Sequence, residues 1–300
     1  MLGAAAWALQ SGAGVVPDPP RARSTTGTGR AVAALRVGDR SFSPSDIEAS
    51  RRVLALRYPD SPSVDLGAWS RLIESTLQQV ALARMGKALT NEDIAVEERR
   101  IDGSTRLPED LARIKNACGS GETYREVYVR PTLAARRFHF EVYPWYPAAH
   151  AQRRKVAEAI LERATRGRLA NAAAGTGARV EAGLLSRGGF TATREPARDP
   201  WRLRDAEALL GEVRQLQPNG SLARVLEEQT EFVVLERGPG TSTATGPLRV
   251  EIAIVPKSQA DEWLWRETKD VAIEVADDRI AERLRKEVAW TQHTALSATR

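Results

Sequence analysis

The chain has 300 residues, of which 42% are apolar and 28% charged, with 44 Lys and Arg against 39 Asp and Glu. That balance suits one large folded domain or two ordinary ones and excludes a largely disordered chain. The net charge of +5 invites a nucleic-acid reading, but no run of five like charges occurs and the arginines are scattered among acids, the pattern of solvated helix faces. One cysteine, Cys118, excludes an intrachain disulfide and a Cys-based zinc site, and its spacing with Leu111 and Ile114 marks a small buried residue on a helix. His139, His150 and His293 lack metal-ligand spacing, so no metal and no cofactor are expected.

Leu2 to Gly14 is small and apolar, like the hydrophobic and cleavage regions of a secretory signal, but no Lys or Arg precedes it. It is shorter than the roughly 20 residues that span a bilayer. A truncated signal and a plain Ala/Gly tail both fit. Val15 to Gly29 reads as a linker, rich in Pro, Arg, Ser, Thr and Gly.

Ala31 to Val37 is a short apolar stretch closed by a Gly38-Asp39 turn. Ser43-Pro44-Ser45-Asp46 then starts a helix, with Ser43 as cap, and Tyr58-Pro59 ends it. Asp65 is the expected cap of a second helix, whose Leu66, Trp69, Ile73, Leu77 and Val80 form one apolar stripe ending near Gly86. Thr90 to Asp93 opens a third helix with another capping box, Pro108 a fourth, and a fifth carries Tyr124, Val127, Tyr128 and Leu133 across a kink at Pro131. Residues 31–137 thus read as a helical module.

Phe138 to Tyr143 is expected as a strand, followed by an aromatic, proline-punctuated loop, Tyr143 to Pro147. A helix through Val156 and Ile160, a strand over Val180 to Leu185, and a helix from Asp199-Pro200 through Leu216 come next. Pro218-Asn219-Gly220 is a turn, and Leu222 to Leu226 with Phe232 to Leu235 read as hairpin strands. Beyond a Gly/Pro/Ser/Thr-rich linker at 238–247, residues 248–300 form an extension. It holds a strand from Leu248, a helix with Trp263, Leu264 and Trp265 capped from Ser258, and an amphipathic helix through Ile280, Leu284 and Val288.

Ala31 to Ser50 and Trp69 to Glu97 together resemble the opening of SurA/PpiC-type chaperone-foldases, a strand, a turn and two capped helices. Residues 138–237 resemble, more loosely, a parvulin domain, through the order strand, long helix, strand, helix, Leu216-Gln217-Pro218-Asn219-Gly220 turn and two strands. The resemblance implies an α+β, mainly helical fold: a SurA-like module, a degenerate parvulin-like domain and a C-terminal strand-helix extension. It also implies that a C-terminal helix returns to the N-terminal module.

Prolyl isomerisation needs no metal or nucleophile, only a pocket that lowers a rotational barrier of about 18–20 kcal/mol. Parvulins place two histidines on central strands behind that pocket. His139 stands near the first position, while Val233 occupies the second and Leu209 the place of a pocket phenylalanine. The implied function is therefore a chaperone, periplasmic or otherwise exported, that binds unfolded envelope or secreted proteins, with weak or absent isomerase activity. An active prolyl isomerase and a non-catalytic subunit of an envelope or secretion assembly are the alternatives. Client-binding candidates are the aromatic residues Tyr143, Trp145, Tyr146, Trp263 and Trp265, each with self-packing in the core as the competing reading. No nucleic acid and no integral membrane segment are expected.

Overall fold

The computed structural model describes residues 33–104, 108–193, 203–239, 246–287 and 296–298. The expected signal remnant and linker over 2–29, the helix start at Asp199-Pro200, and Val288 lie outside the described residues.

In chain order the elements begin with β1 (Leu35–Val37), β2 (Arg40–Phe42), α1 (Pro44–Arg57), α2 (Val64–Arg84), α3 (Asn91–Asp102) and α4 (Pro108–Cys118). Next come α5 (Gly121–Tyr124), a π-helical segment (Arg125–Val129), α6 (Arg130–Arg136), a second π-helical segment (Arg137–Val142) and a 3-10 turn (Tyr143–Trp145). Then follow α7 (Pro147–Ala164), α8 (Leu169–Ala173), β3 (Arg179–Ser186), β4 (Gly189–Ala192), α9 (Ala206–Gln215), β5 (Leu226–Glu227), β6 (Glu231–Arg237) and β7 (Leu248–Pro256). The chain closes with α10 (Ala260–Glu267), β8 (Ile273–Val275), α11 (Asp278–Glu287) and β9 (Leu296–Ala298). The fold is α+β, mainly helical with two small sheets. It divides into two compact units: one holds the described residues up to Tyr143 and from Ala260 onward, the other Pro144 to Gln259.

In the first unit the helix starts follow local chemistry. Ser43 and Asp46 exchange side-chain and backbone hydrogen bonds across the first turn of α1, and Thr90 and Asp93 do the same for α3. Helix α2 begins two residues earlier than expected, at Val64 after Ser63, with no side-chain cap, so Asp65 is a first-turn acid instead. Its core face is Leu66, Leu72, Ile73 and Leu77, while Trp69 is only half-buried. The expected C-terminal return is present. Strand β8 pairs antiparallel with β1, placing Val275 opposite Leu35 and Ile273 opposite Val37, in a sheet of order β2-β1-β8-β9 whose last pair is parallel.

The expected strand at Phe138–Tyr143 is helix. From Gly121 to Trp145 the chain runs through successive α, π and 3-10 turns. Both π segments sit directly before a proline: the Arg130 amide bonds to Arg125 O ahead of Pro131, and the Tyr143 amide to Phe138 O ahead of Pro144. A proline lacks the N–H for an i−4 bond and its ring collides with that carbonyl, so the wider i−5 turn accommodates it without ending the helix. The wider turn also brings residues five apart onto one face: Phe138 stacks on Tyr143 at 5.4 Å and Arg136 pairs with Glu141.

The second unit is a five-stranded antiparallel sheet, order β4-β3-β7-β6-β5, with helices on both faces. Val233, Leu235, Val250, Ile252 and Ile254 face α9, while Phe232, Val234, Ala253 and Val255 face α7 and α8. This two-sided cover explains why β6 is an unbroken apolar run. Two expected boundaries move. The second unit begins at Pro144, and the strand from Leu248, expected in a C-terminal extension, is the central strand of this sheet. Because β6 and β7 pair as antiparallel neighbours, the Gly/Pro-rich stretch between them joins a hairpin and not two domains.

Gly183 on β3 carries the ring of Phe190 across it. A Cβ there would collide with Thr191 O and with the ring. Since Phe190 is buried, Gly183→Ala is expected to cost roughly 1–3 kcal/mol, the range for overpacking. A urea midpoint equal to the parent's would show that Phe190 has room to move.

Candidate functional site

A groove of about 740 Å³ lies beside the edge strand β5 of the second unit. Helix α9 supplies one wall through Glu207, Ala208, Leu209 and Glu212; the opposite wall is Arg224 to Glu228. The periodicity of α9 explains the arrangement. Leu209, Leu210 and Val213 turn inward onto the sheet, which leaves Glu207 and Ala208 exposed at the rim. The described helix starts at Ala206 after Asp205, whose φ of 54° is left-handed, and buried Leu203 precedes it.

Beside the groove a cationic and aromatic cluster fixes its outer wall. The Trp145 ring lies 4.2 Å from the Arg204 guanidinium carbon and 4.6 Å from Lys257 Nζ, measured to the ring centroid. Lys257 is 3% exposed at its side chain; its ammonium donates to Pro144 O and to Glu227 Oε1 at 3.0 Å, and burial lowers its pKa. Glu227 Oε2 also accepts from Arg154 Nη1 at 2.8 Å. The Arg204 backbone N–H donates to both Glu228 oxygens, at 3.1 and 3.2 Å, and burial raises that carboxyl. Glu227, Glu228 and Arg204 thus belong to both groove and cluster. None of these roles was legible locally, because residues 145, 204, 227 and 257 are distant in sequence; a lone Lys257 ending an apolar strand is the single signal.

Of the residues singled out from the sequence, Trp145 adjoins this site and Tyr146 is half-buried next to it. Tyr143 and Trp263 are 4% exposed, pack ring to ring at 5.5 Å, and belong to the first unit's core. Trp265, at 8% exposure, is buried as well. These three rings offer no surface to a client. His139 is in the first unit, on the π-helical segment, with its Nε2 3.1 Å from Gln78 Nε2. Val233 is fully buried beneath α9 in the second unit, and Leu209, 2% exposed, lines the groove floor. Among the described residues the strands of this sheet carry no histidine, and His139 is on no strand. Burial pushes the Cys118 thiol up to about 11, which leaves it a weak nucleophile.

Among the described residues no cluster of His, Cys, Asp or Glu gathers to hold a metal ion, and no helix is long and apolar enough to cross a membrane. Compared with known proteins, the chain matches no family model, no curated protein and no solved structure.

Proposed function

We propose that this protein is an exported chaperone of the SurA/PpiC type that holds unfolded envelope or secreted proteins and does not isomerise prolines. The observation that carries the reading is the return of the C-terminal segment to the first unit. Pairing of β8 with β1 makes the second unit an insertion in the sequence of the first, and the resemblance implies the return of a C-terminal helix to the N-terminal module. Against catalysis stand two facts: the histidine nearest the first parvulin position is outside the second unit, and the second position is a buried valine.

The groove beside α9 is the surface we assign to clients. An extended segment there meets the edge strand β5 and polar walls that satisfy peptide groups. Ala208 is exposed at its rim, so Ala208→Arg fills the groove without disturbing the core. Fluorescence anisotropy of a labelled unfolded protein should show at least about tenfold weaker binding to this variant, a change worth about 1.4 kcal/mol. Unchanged affinity would remove the groove as the client site. A single tight partner recovered in place of many weak ones would favour an interaction subunit.

A further inference from the structure

Strand β5 ends the second sheet and, among the described residues, pairs only with β6. Leu226 stands opposite Val233 and Glu227 opposite Phe232, and the Glu228 N–H donates to Glu231 O at 2.9 Å. In an antiparallel ladder, residues that exchange hydrogen bonds with the neighbouring strand alternate with residues that do not. Glu228 and, two residues earlier, Leu226 therefore turn their backbone groups to β6. Glu227 between them turns its N–H and C=O away from the sheet, and neither group has a hydrogen bond among the described residues.

The groove lies against Val225 to Glu228, and a further strand would run about 4.8 Å from them. A free donor and a free acceptor on one residue fit one kind of partner: another main-chain residue in extended conformation, which returns both bonds at once. A helical segment has its N–H groups in use, and a proline has none to give. Side chains add little selection at this point, because the Glu227 carboxylate is already held by Lys257 Nζ at 3.0 Å and Arg154 Nη1 at 2.8 Å.

We infer that the main chain of Glu227 is the point at which a client pairs with this protein, and that the client residue there is extended and not proline. The inference rests on the assignment of the groove to clients and adds the class of segment the groove takes. Strand β5 is two residues long and the chain bends at Ala223 and Arg224 before it, which confines the pairing to Glu227. A client is thus held without being offered a long strand edge on which to aggregate.

The test uses the full chain and a labelled peptide of alternating Val and Thr with lysine ends, an extended sequence with an N–H on every residue. Amide hydrogen exchange, read residue by residue by NMR, should slow at least about tenfold at Glu227 when the peptide is saturating, with Leu226 and Glu228 protected throughout. Glu227→Pro keeps the pairing to β6, since its ring replaces an N–H that faces away from the sheet. Glu227→Ala is its control, because both variants lose the carboxylate that Lys257 holds. In fluorescence anisotropy Glu227→Pro should bind the peptide at least about fivefold more weakly than Glu227→Ala, within the range of one lost hydrogen bond. The same peptide N-methylated throughout should bind the parent at least about fivefold more weakly as well. Equal affinities of the two variants, or a Glu227 amide unchanged by the peptide, in a protein whose binding Ala208→Arg still weakens, would overturn the inference and leave the groove as the client site. Peptide binding untouched by Ala208→Arg would overturn both. Should Glu227→Pro not fold, the Glu227 amide and the N-methylated peptide decide in the parent.

Discussion

Phe138→Ala is expected to destabilise the protein by about 3–5 kcal/mol, the range for deleting a fully buried aromatic ring. Phe138 has no exposed surface, stacks on Tyr143 at 5.4 Å and lies 6.2 Å from Trp263, so its ring ties the second π segment to α10. The loss should be accompanied by faster amide exchange in α10 and β8, because the variant removes a ring on which α10 packs. Half-buried Trp69 should cost clearly less when changed to Ala, despite its larger ring. Chemical unfolding monitored by circular dichroism measures both variants, and a Phe138→Ala protein as stable as the parent would mean that the C-terminal return does not depend on this contact.

A second large effect is a fall in stability with rising pH, read out by Glu74. Its carboxyl is raised from 4.5 to about 7, first by burial and then by Asp261, against the pull of Arg71. The folded chain keeps this proton where the unfolded chain has released it, so the stability contribution is complete below pH 4.5 and is lost as pH rises through about 7. The difference corresponds to about 3 kcal/mol. Glu74→Gln is uncharged throughout and still accepts from Gln78 through its own carbonyl. It should match the parent near pH 4.5 and exceed it by about 3 kcal/mol near pH 8. Urea titrations at the two ends of that range decide, and parallel profiles for parent and variant would refute a raised Glu74 pKa.

Where local chemistry was sufficient, the sequence could be read directly. The capping boxes at Ser43 and Thr90 form as their side chains dictate, and the Gln217 to Gly220 turn places Asn219 in the left-handed region that this residue tolerates. The alternation of Leu248 to Ile254 gave a strand, but not its place. A strand that closes a sheet between β3 and β6 is chosen by long-range pairing that no local pattern encodes.

Phe138-His139-Phe140-Glu141-Val142-Tyr143 misled for a definite reason. Its aromatic and branched residues alternate with a period near two, whereas the fold places Phe138 and Tyr143 on one face through a π turn set up by Pro144. That misreading put His139 on the wrong unit, and with it the first half of a parvulin site. The aromatic residues Tyr143, Trp263 and Trp265 were legible as a group needing burial or a client, and the fold buries them. The groove was not legible at all, because its walls come from α9 and from β5, which is only two residues long.

The most direct test of the account is a paired measurement on the same samples: light scattering of an aggregating unfolded client, and cis–trans isomerisation of a short prolyl peptide. The parent is expected to suppress aggregation, to keep doing so when His139 is changed to Ala, and to lose much of that effect in Ala208→Arg, with isomerisation at background in all three. Strong isomerase activity in the parent that disappears in His139→Ala would contradict the account and make this protein an enzyme.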